Sequence, residues 1–359
     1  MRTWLTFAFL LLVVAAPGKG EDYQWNLPKG FPRPYVPANN PMTAAKAELG
    51  RYLFYDTRMS VNGKASCATC HKQELAFTDG RAVGLGATGE SHSRGAMSLV
   101  NVAWSGALTW SNPEMTSLEK QALVPMFGDH PVELGLREGD GFLPMLRSDA
   151  KYRELFERAF PADADRFTIV NVTKALASFE RSIVSARSPY DRYHYNRDDS
   201  AISDSAKRGE VLFFNQHLSC FRCHGGFNFT GATASEKNPQ PEIEFHNTGL
   251  YNPYPAPNVG IYEFTKAPAD RGKFKAPTLR NIALTAPYMH DGSIPTLEGV
   301  LDHYAAGGRS HDNPNKDPLI GGFTLTQQDR DDLIAFLKSL TDDEVIRDPR
   351  FANPWPRTN

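Results

Sequence analysis

"SCATCHK" (residues 66–72) and "SCFRCHG" (residues 219–225) hold every cysteine of this 359-residue chain: Cys67, Cys70, Cys220 and Cys223. Each stretch is a C-x-x-C-H pentapeptide, closed by His71 in the first and His224 in the second. No cysteine is spare for a long-range disulfide. A thioredoxin-like redox pair needs a βαβ setting, which the flanking sequence does not supply. Adjacent Cys70 and His71 cannot readily chelate one tetrahedral zinc ion. Attachment of c-type haem satisfies every constraint. The cysteines form thioethers to the vinyl groups, and the next histidine reaches the iron from the proximal side. Two copies predict two c-type haems.

The two stretches sit in matching surroundings. "AELGRYLFYD" precedes the first, with Gly50, Leu53, Phe54 and Tyr55; "AKRGEVLFFN" precedes the second, with Gly209, Leu212, Phe213 and Phe214. Each reads as a short amphipathic helix followed by a haem-bearing loop, a duplicated unit rather than a solenoid. Between them, "TIVNVTKALASFERSIVSA" sets Ile169, Val172, Leu176, Phe179 and Ile183 on one helical face, with Thr168 as N-cap. "SPYDRYHYNRDD" breaks that pattern and marks the domain junction. Near the C-terminus "TQQDRDDLIAFLKSL" is amphipathic through Leu333, Phe336, Leu337 and Leu340, with Thr326 and Asp329 set as a capping box. Little alternates with period two, and several loops are Pro-rich. The expected fold is mostly α: two cytochrome c-like domains, residues 21–195 and 196–359, each with one covalent haem and long ordered loops.

The first residues, "MRTWLTFAFLLLVVAAPGKG", combine Arg2, an apolar run from Trp4 to Ala16 and small residues. That run is too short to span a bilayer comfortably and reads as a signal peptide over residues 1–20. The expected mature protein is exported to the periplasm with no membrane span. A formal net charge of −2 gives no reason to expect nucleic acid.

Together with the haem motifs, "FERSIVSARSPYDRY" and "FKAPTLRNIALTAPYMHDGSIPTLEGVLDHY" resemble the bacterial di-haem cytochrome c peroxidases and their MauG-like relatives. The likeness runs from about Ala47 to Leu340. It implies one haem that reacts with hydrogen peroxide and a second that relays electrons. Fourteen residues beyond His290, where the peroxidase branch has a methionine ligand, stands Tyr304, the mark of the MauG-like branch. A thioether favours reduced iron, whereas a phenolate is a hard donor that favours oxidised iron. The alternatives are that Tyr304 is a packed aromatic and that Met289 or His303 ligates.

The resemblance also implies the remaining site. On the peroxide side, Glu133 is the acid–base group, Gln121 a positioning donor and Pro125 a wall that keeps ligands small; Glu119 and Glu138 are the alternatives to Glu133. His92 is the one histidine near the position of a distal ligand and is not expected to coordinate, which leaves the first haem open. Trp110 is the bridge between the haems, whereas Trp104 is core. Arg280 and His290 lie near the second haem and its propionates, in structural use as readily as catalytic. A calcium ion is expected on the carbonyls of Thr285 and Pro287, although Gly95 stands where the family has an asparagine.

The function implied is peroxide-driven formation of a high-valent di-iron(IV) state that oxidises tryptophan in a partner protein. Family members include one that completes the tryptophylquinone of methylamine dehydrogenase and a methanobactin-associated one that makes kynurenine in a copper-binding partner. The first has a tryptophan two residues before the second haem's first cysteine; here that residue is Leu218, which favours the second. The rival readings are a cytochrome c peroxidase fed by a small cytochrome or cupredoxin, and a di-haem electron carrier with both irons closed.

Overall fold

The computed structural model describes residues 23–356; the expected signal peptide lies outside them. The first half carries helices α1 (Ala44–Tyr55), α2 (Cys67–Cys70), α3 (Leu118–Gln121), α4 (Leu123–Phe127), α5 (Phe142–Ser148), α6 (Ala150–Ala159) and α7 (Ile169–Ser182). Helix α8 (Pro189–Asn196) leads to α9 (Asp204–Phe213), α10 (Tyr262–Thr265), α11 (Leu297–Ala305) and α12 (Gln327–Ser339). The one sheet among the described residues pairs β1 (Phe245–His246) antiparallel with β2 (Phe274–Lys275). The fold is mostly α, with long connections, and none of these helices is long and apolar enough to cross a membrane.

Glycine lets the helix before each haem motif press against the last helix of its half. A Cβ on Gly50 would stand 2.0 Å from the Ala175 carbonyl oxygen of α7 and 2.8 Å from the Phe179 Cβ. On Gly209 it would stand 1.9 Å from the Asp332 oxygen of α12 and 2.8 Å from the Phe336 Cβ. Only glycine permits backbones this close. Around the α1–α7 crossing, Leu49, Leu53, Phe54, Leu176 and Phe179 form one core; around the α9–α12 crossing, Phe213, Leu333, Phe336 and Leu340 form another.

The duplication extends further. Asn101 and Asn281 both adopt left-handed backbone, at φ 56° and 59°, and each starts a 3₁₀ turn. The Asn101 N–H donates to the Ile183 carbonyl just past α7, and the Asn281 N–H to the Leu340 carbonyl just past α12. Their amides then lock the two following segments. Asn101 exchanges hydrogen bonds with the Ser185 N–H (2.7 Å) and carbonyl (2.9 Å). Asn281 accepts from the Asp342 N–H (2.8 Å) and donates to the Ser185 hydroxyl (2.9 Å). The Asp342 carboxylate in turn accepts from the Ala186 and Arg187 N–H groups, both at 3.0 Å.

Two details depart from the expected layout. The stretch that breaks the pattern after α7 is itself helical. Ser188 and Asp191 form a capping box with Pro189 in the first turn, a start signal that follows directly from the sequence. The C-terminal tail also returns to the first half. Val345 and Phe351 join the first core, and the Trp355 indole donates to the Tyr52 carbonyl at 3.1 Å.

Candidate active site

Both C-x-x-C-H turns present their histidines in the same way. The His71 Nδ1 faces the Phe77 carbonyl at 2.9 Å, and the His224 Nδ1 faces the carbonyls of Phe229 (3.2 Å) and Pro277 (3.1 Å). A carbonyl only accepts, so Nδ1 carries the proton and Nε2 keeps its lone pair. Phe77 and Phe229 reach this position through left-handed backbone, at φ 60° and 49°, and both are buried. Burial pushes both imidazoles below the ordinary histidine range, His224 to about 4, so they are neutral. None of the four cysteines is paired in a disulfide, and burial raises Cys70 and Cys220 to about 11.

One cavity of ≈ 530 Å³ runs from the first motif to the second. Free thiols at vinyl-bonding spacing, each followed by an imidazole with an available Nε2, suit c-type haem at either end. His290 supplies a further sign of a polar occupant. It is buried in the cavity wall, stacked on Phe274 at 3.8 Å, and its Nε2 has no partner among the described residues. Burial lowers its pKa to about 4.

At the first motif, Gln121, Pro125 and Glu133 all line the cavity. Gly86 makes this possible: a Cβ there would lie 1.7 Å from the Val132 oxygen, so the loop bearing His92 can lie against the strand of chain bearing Glu133. His92 Nε2 then meets Glu133 Oε1 at 3.0 Å, a pairing that no local sequence rule announces. The two alternatives to Glu133 lie elsewhere. Glu119 is gripped by both Arg181 nitrogens, at 2.7 and 3.0 Å, and by Asn40. Burial opposes its ionisation, but Arg181 prevails and holds it at about 2. Glu138 is exposed. A carboxyl missed by sequence reasoning, Glu180 of α7, also lines the cavity; burial lifts it to about 8, and its Oε2 has no partner among the described residues.

Between the motifs stands Trp110, half-buried on the cavity wall. Its indole N–H donates to the Gly95 carbonyl at 2.9 Å, while the Gly95 N–H donates to the His290 carbonyl at 2.9 Å. Trp104 is fully buried with its indole on the Pro32 carbonyl, so it is core. Thr285 and Pro287 reach the cavity wall too. Among the described residues no group of three His, Cys, Asp or Glu side chains could hold a metal ion.

At the second motif, Tyr304 in the last turn of α11 lines the cavity near Cys220 and Cys223. Burial, reinforced by the two thiols, pushes its phenol well above the ordinary tyrosine range. Ionised, it would need a cation beside it. His303 points elsewhere and bonds the Thr248 carbonyl at 3.0 Å. Met289 lies on the cavity wall and packs against the second core. Arg280 has a structural use: its guanidinium forms a buried bidentate pair with Asp191, both bonds 2.9 Å, and donates to the Phe227 carbonyl.

The sequence profile of the family described as di-haem cytochrome c peroxidase matches residues 44–200, and a RoxA-like, cytochrome c-like profile matches residues 273–306. The chain is 36% identical to methylamine utilization protein MauG of Methylophilus methylotrophus, across 94% of this chain and 96% of that protein. It is 31% identical to cytochrome c551 peroxidase of Nitrosomonas europaea, across 86% and 84%. Its fold resembles the crystal structure of a MauG-like protein associated with microbial copper homeostasis, with TM-score 0.90, 43% identity, and coverage of 93% and 100%.

Proposed function

The chain belongs to the di-haem cytochrome c peroxidase family that includes MauG, haem-dependent oxidoreductases that use peroxide, and on that premise we propose that it oxidises tryptophan in a partner protein. The observation that carries this reading is Tyr304, a phenol without a protein hydrogen bond among the described residues, facing the cavity beside the second haem motif. A phenolate oxygen there stabilises oxidised iron, which suits storage of oxidising equivalents rather than delivery of electrons to peroxide.

Cys67 and Cys70 would tether one haem and Cys220 and Cys223 the other, with His71 and His224 available to hold their irons. When bound, the haems supply the redox chemistry that draws oxidising equivalents from hydrogen peroxide. Glu133 takes the proton from the near peroxide oxygen and returns it to the far one. Gln121 orients the peroxide, Pro125 limits the size of what enters, and Trp110 carries a hole between the two ends of the cavity. The carbonyls of Thr285 and Pro287 would hold the calcium ion, which would brace the wall between them.

We place the protein in the periplasm, on the strength of Arg2 and the apolar run that follows it. Leu218 and the likeness to the copper-associated protein favour a copper-binding partner and kynurenine as product. The likeness to the cytochrome c551 peroxidase keeps peroxide removal as the second reading. The test is to add peroxide to the haem-loaded protein in a periplasmic extract and search by mass spectrometry for oxidised tryptophan. Oxidised tryptophan in one extract protein is expected. Peroxide consumed only when a reduced cytochrome or cupredoxin is supplied, with every tryptophan intact, overturns the proposal in favour of the second reading.

A further inference from the structure

Lys275 is the most isolated charge in the cavity wall. It is 6% exposed, yet among the described residues no carboxylate meets its ammonium, and the groups bonded to the residue there are backbone. Burial alone acts on it, pulling its pKa down to about 8 with no charged neighbour to oppose the shift. An ammonium largely withdrawn from bulk water without a partner is costly. Such a residue persists where an anion arrives later.

Its position narrows what that anion is. Lys275 lies in β2, two residues before Pro277, whose carbonyl holds His224. Its N–H donates to the Trp110 carbonyl at 2.9 Å, so the strand is pinned to the residue between the motifs. The preceding Phe274 stacks on His290, and Phe274 and Lys275 both line the cavity. The cavity wall is mostly apolar, with Leu301, Phe323, Leu333 and Leu337 among its residues.

We propose that Lys275 is the counter-cation of a haem propionate, seating the carboxylate edge of the second haem against the strand that also holds Trp110. This rests on the reading of the cavity as haem-holding. The fixed positive charge favours the ferrous over the ferric ion, so Lys275 raises the reduction potential of that haem against the opposite pull of the phenolate ligand. It is a positioning residue, acting through the cofactor's edge and not on peroxide.

The experiment is spectroelectrochemical titration and resonance Raman of the haem-loaded protein and of Lys275→Met and Lys275→Arg. Mass spectrometry counts the covalent haems first. In Lys275→Met, the midpoint potential of one haem should fall while the other stays at its parental value. Lys275→Arg should recover the potential but shift the propionate bending band, because a guanidinium bonds a carboxylate differently. Both haems attached, with potentials and band unchanged in both variants, overturns the role of Lys275. Should Lys275→Met fail to accumulate, an unmoved band in Lys275→Arg overturns it alone. A parent without covalent haem defeats the haem reading instead, which separates the two failures.

Discussion

Replacing Gly209 by alanine tests the duplicated helix crossing directly. The added methyl would sit 1.9 Å from the Asp332 carbonyl oxygen and 2.8 Å from the Phe336 Cβ. Ordinary carbon contacts begin near ~3.5 Å, so α9 must retreat from α12 by roughly 1.5 Å. Neither obstacle can swing aside, because one is backbone and the other is the first side-chain atom. Two effects compete. Alanine is the better helix former by about 0.5–1 kcal/mol. Overpacking costs about 1–3 kcal/mol, and retreat loosens buried Phe213, Leu333 and Phe336, at about 0.8 kcal/mol for each methylene-equivalent exposed. The balance is a loss of roughly 2–4 kcal/mol. Guanidinium denaturation of the haem-loaded protein, followed by the Soret band, should show the midpoint falling. Gly50→Ala, with its Cβ 2.0 Å from the Ala175 oxygen, should fall by a similar amount. A neutral or stabilising Gly209→Ala would refute the argument, since helix propensity alone predicts that result.

Four other outcomes follow from the site and its supports. Asp191→Asn leaves the buried Arg280 charge without its carboxylate and should cost about 3–5 kcal/mol in the same denaturation. Glu180 has its pKa raised from 4.5 to about 8 by burial. Below pH 4.5 it contributes nothing, and between 4.5 and 8 only the unfolded chain ionises, so stability falls as pH rises and then levels off. At ~1.4 kcal/mol per pKa unit, Glu180→Gln should be more stable than the parent by several kcal/mol at pH 8 and indistinguishable from it near pH 4, as read by denaturation at each pH. Trp110→Phe should keep both haems and still consume peroxide, yet lose oxidation of the partner protein in the mass-spectrometric assay. Tyr304→Met should raise the potential of one haem and bring in a sulfur-to-iron charge-transfer band; the same band in the parent would mean that Met289 is the ligand.

Much of this was legible because it rests on local chemistry. C-x-x-C-H spacing, the Thr168 and Thr326 caps and the paired Gly50 and Gly209 contexts each follow from rules that act within a few residues. The second tier needed three dimensions. Phe77 and Phe229 hold the proximal histidines from left-handed backbone that bulky residues rarely adopt, so their type concealed their task. His92 and Glu133 are 41 positions apart and meet only because Gly86 lets two loops touch. Lys275 reads as an ordinary surface lysine until β2 turns it inward. Arg280 looked available for a cofactor because its partner, Asp191, lies 89 residues away.

The asparagine lock between the segments that follow α7 and α12 bears on how the protein comes apart. Neither half owns its own seam: Asn281 of the second bonds Ser185 of the first, and Asp342 caps backbone at Ala186 and Arg187. The tail beyond Asp342 then completes the first core with Val345 and Phe351. Cutting the chain near residue 196 would strip the first half of part of its interior and expose buried amides in both. The halves therefore share one cooperative unfolding event, and amides at the seam should exchange hydrogen only at the rate of global opening. The separation between the two ends of the cavity is then as durable as the fold itself. The hop proposed for Trp110, whose rate would depend steeply on distance, would then always meet the same gap.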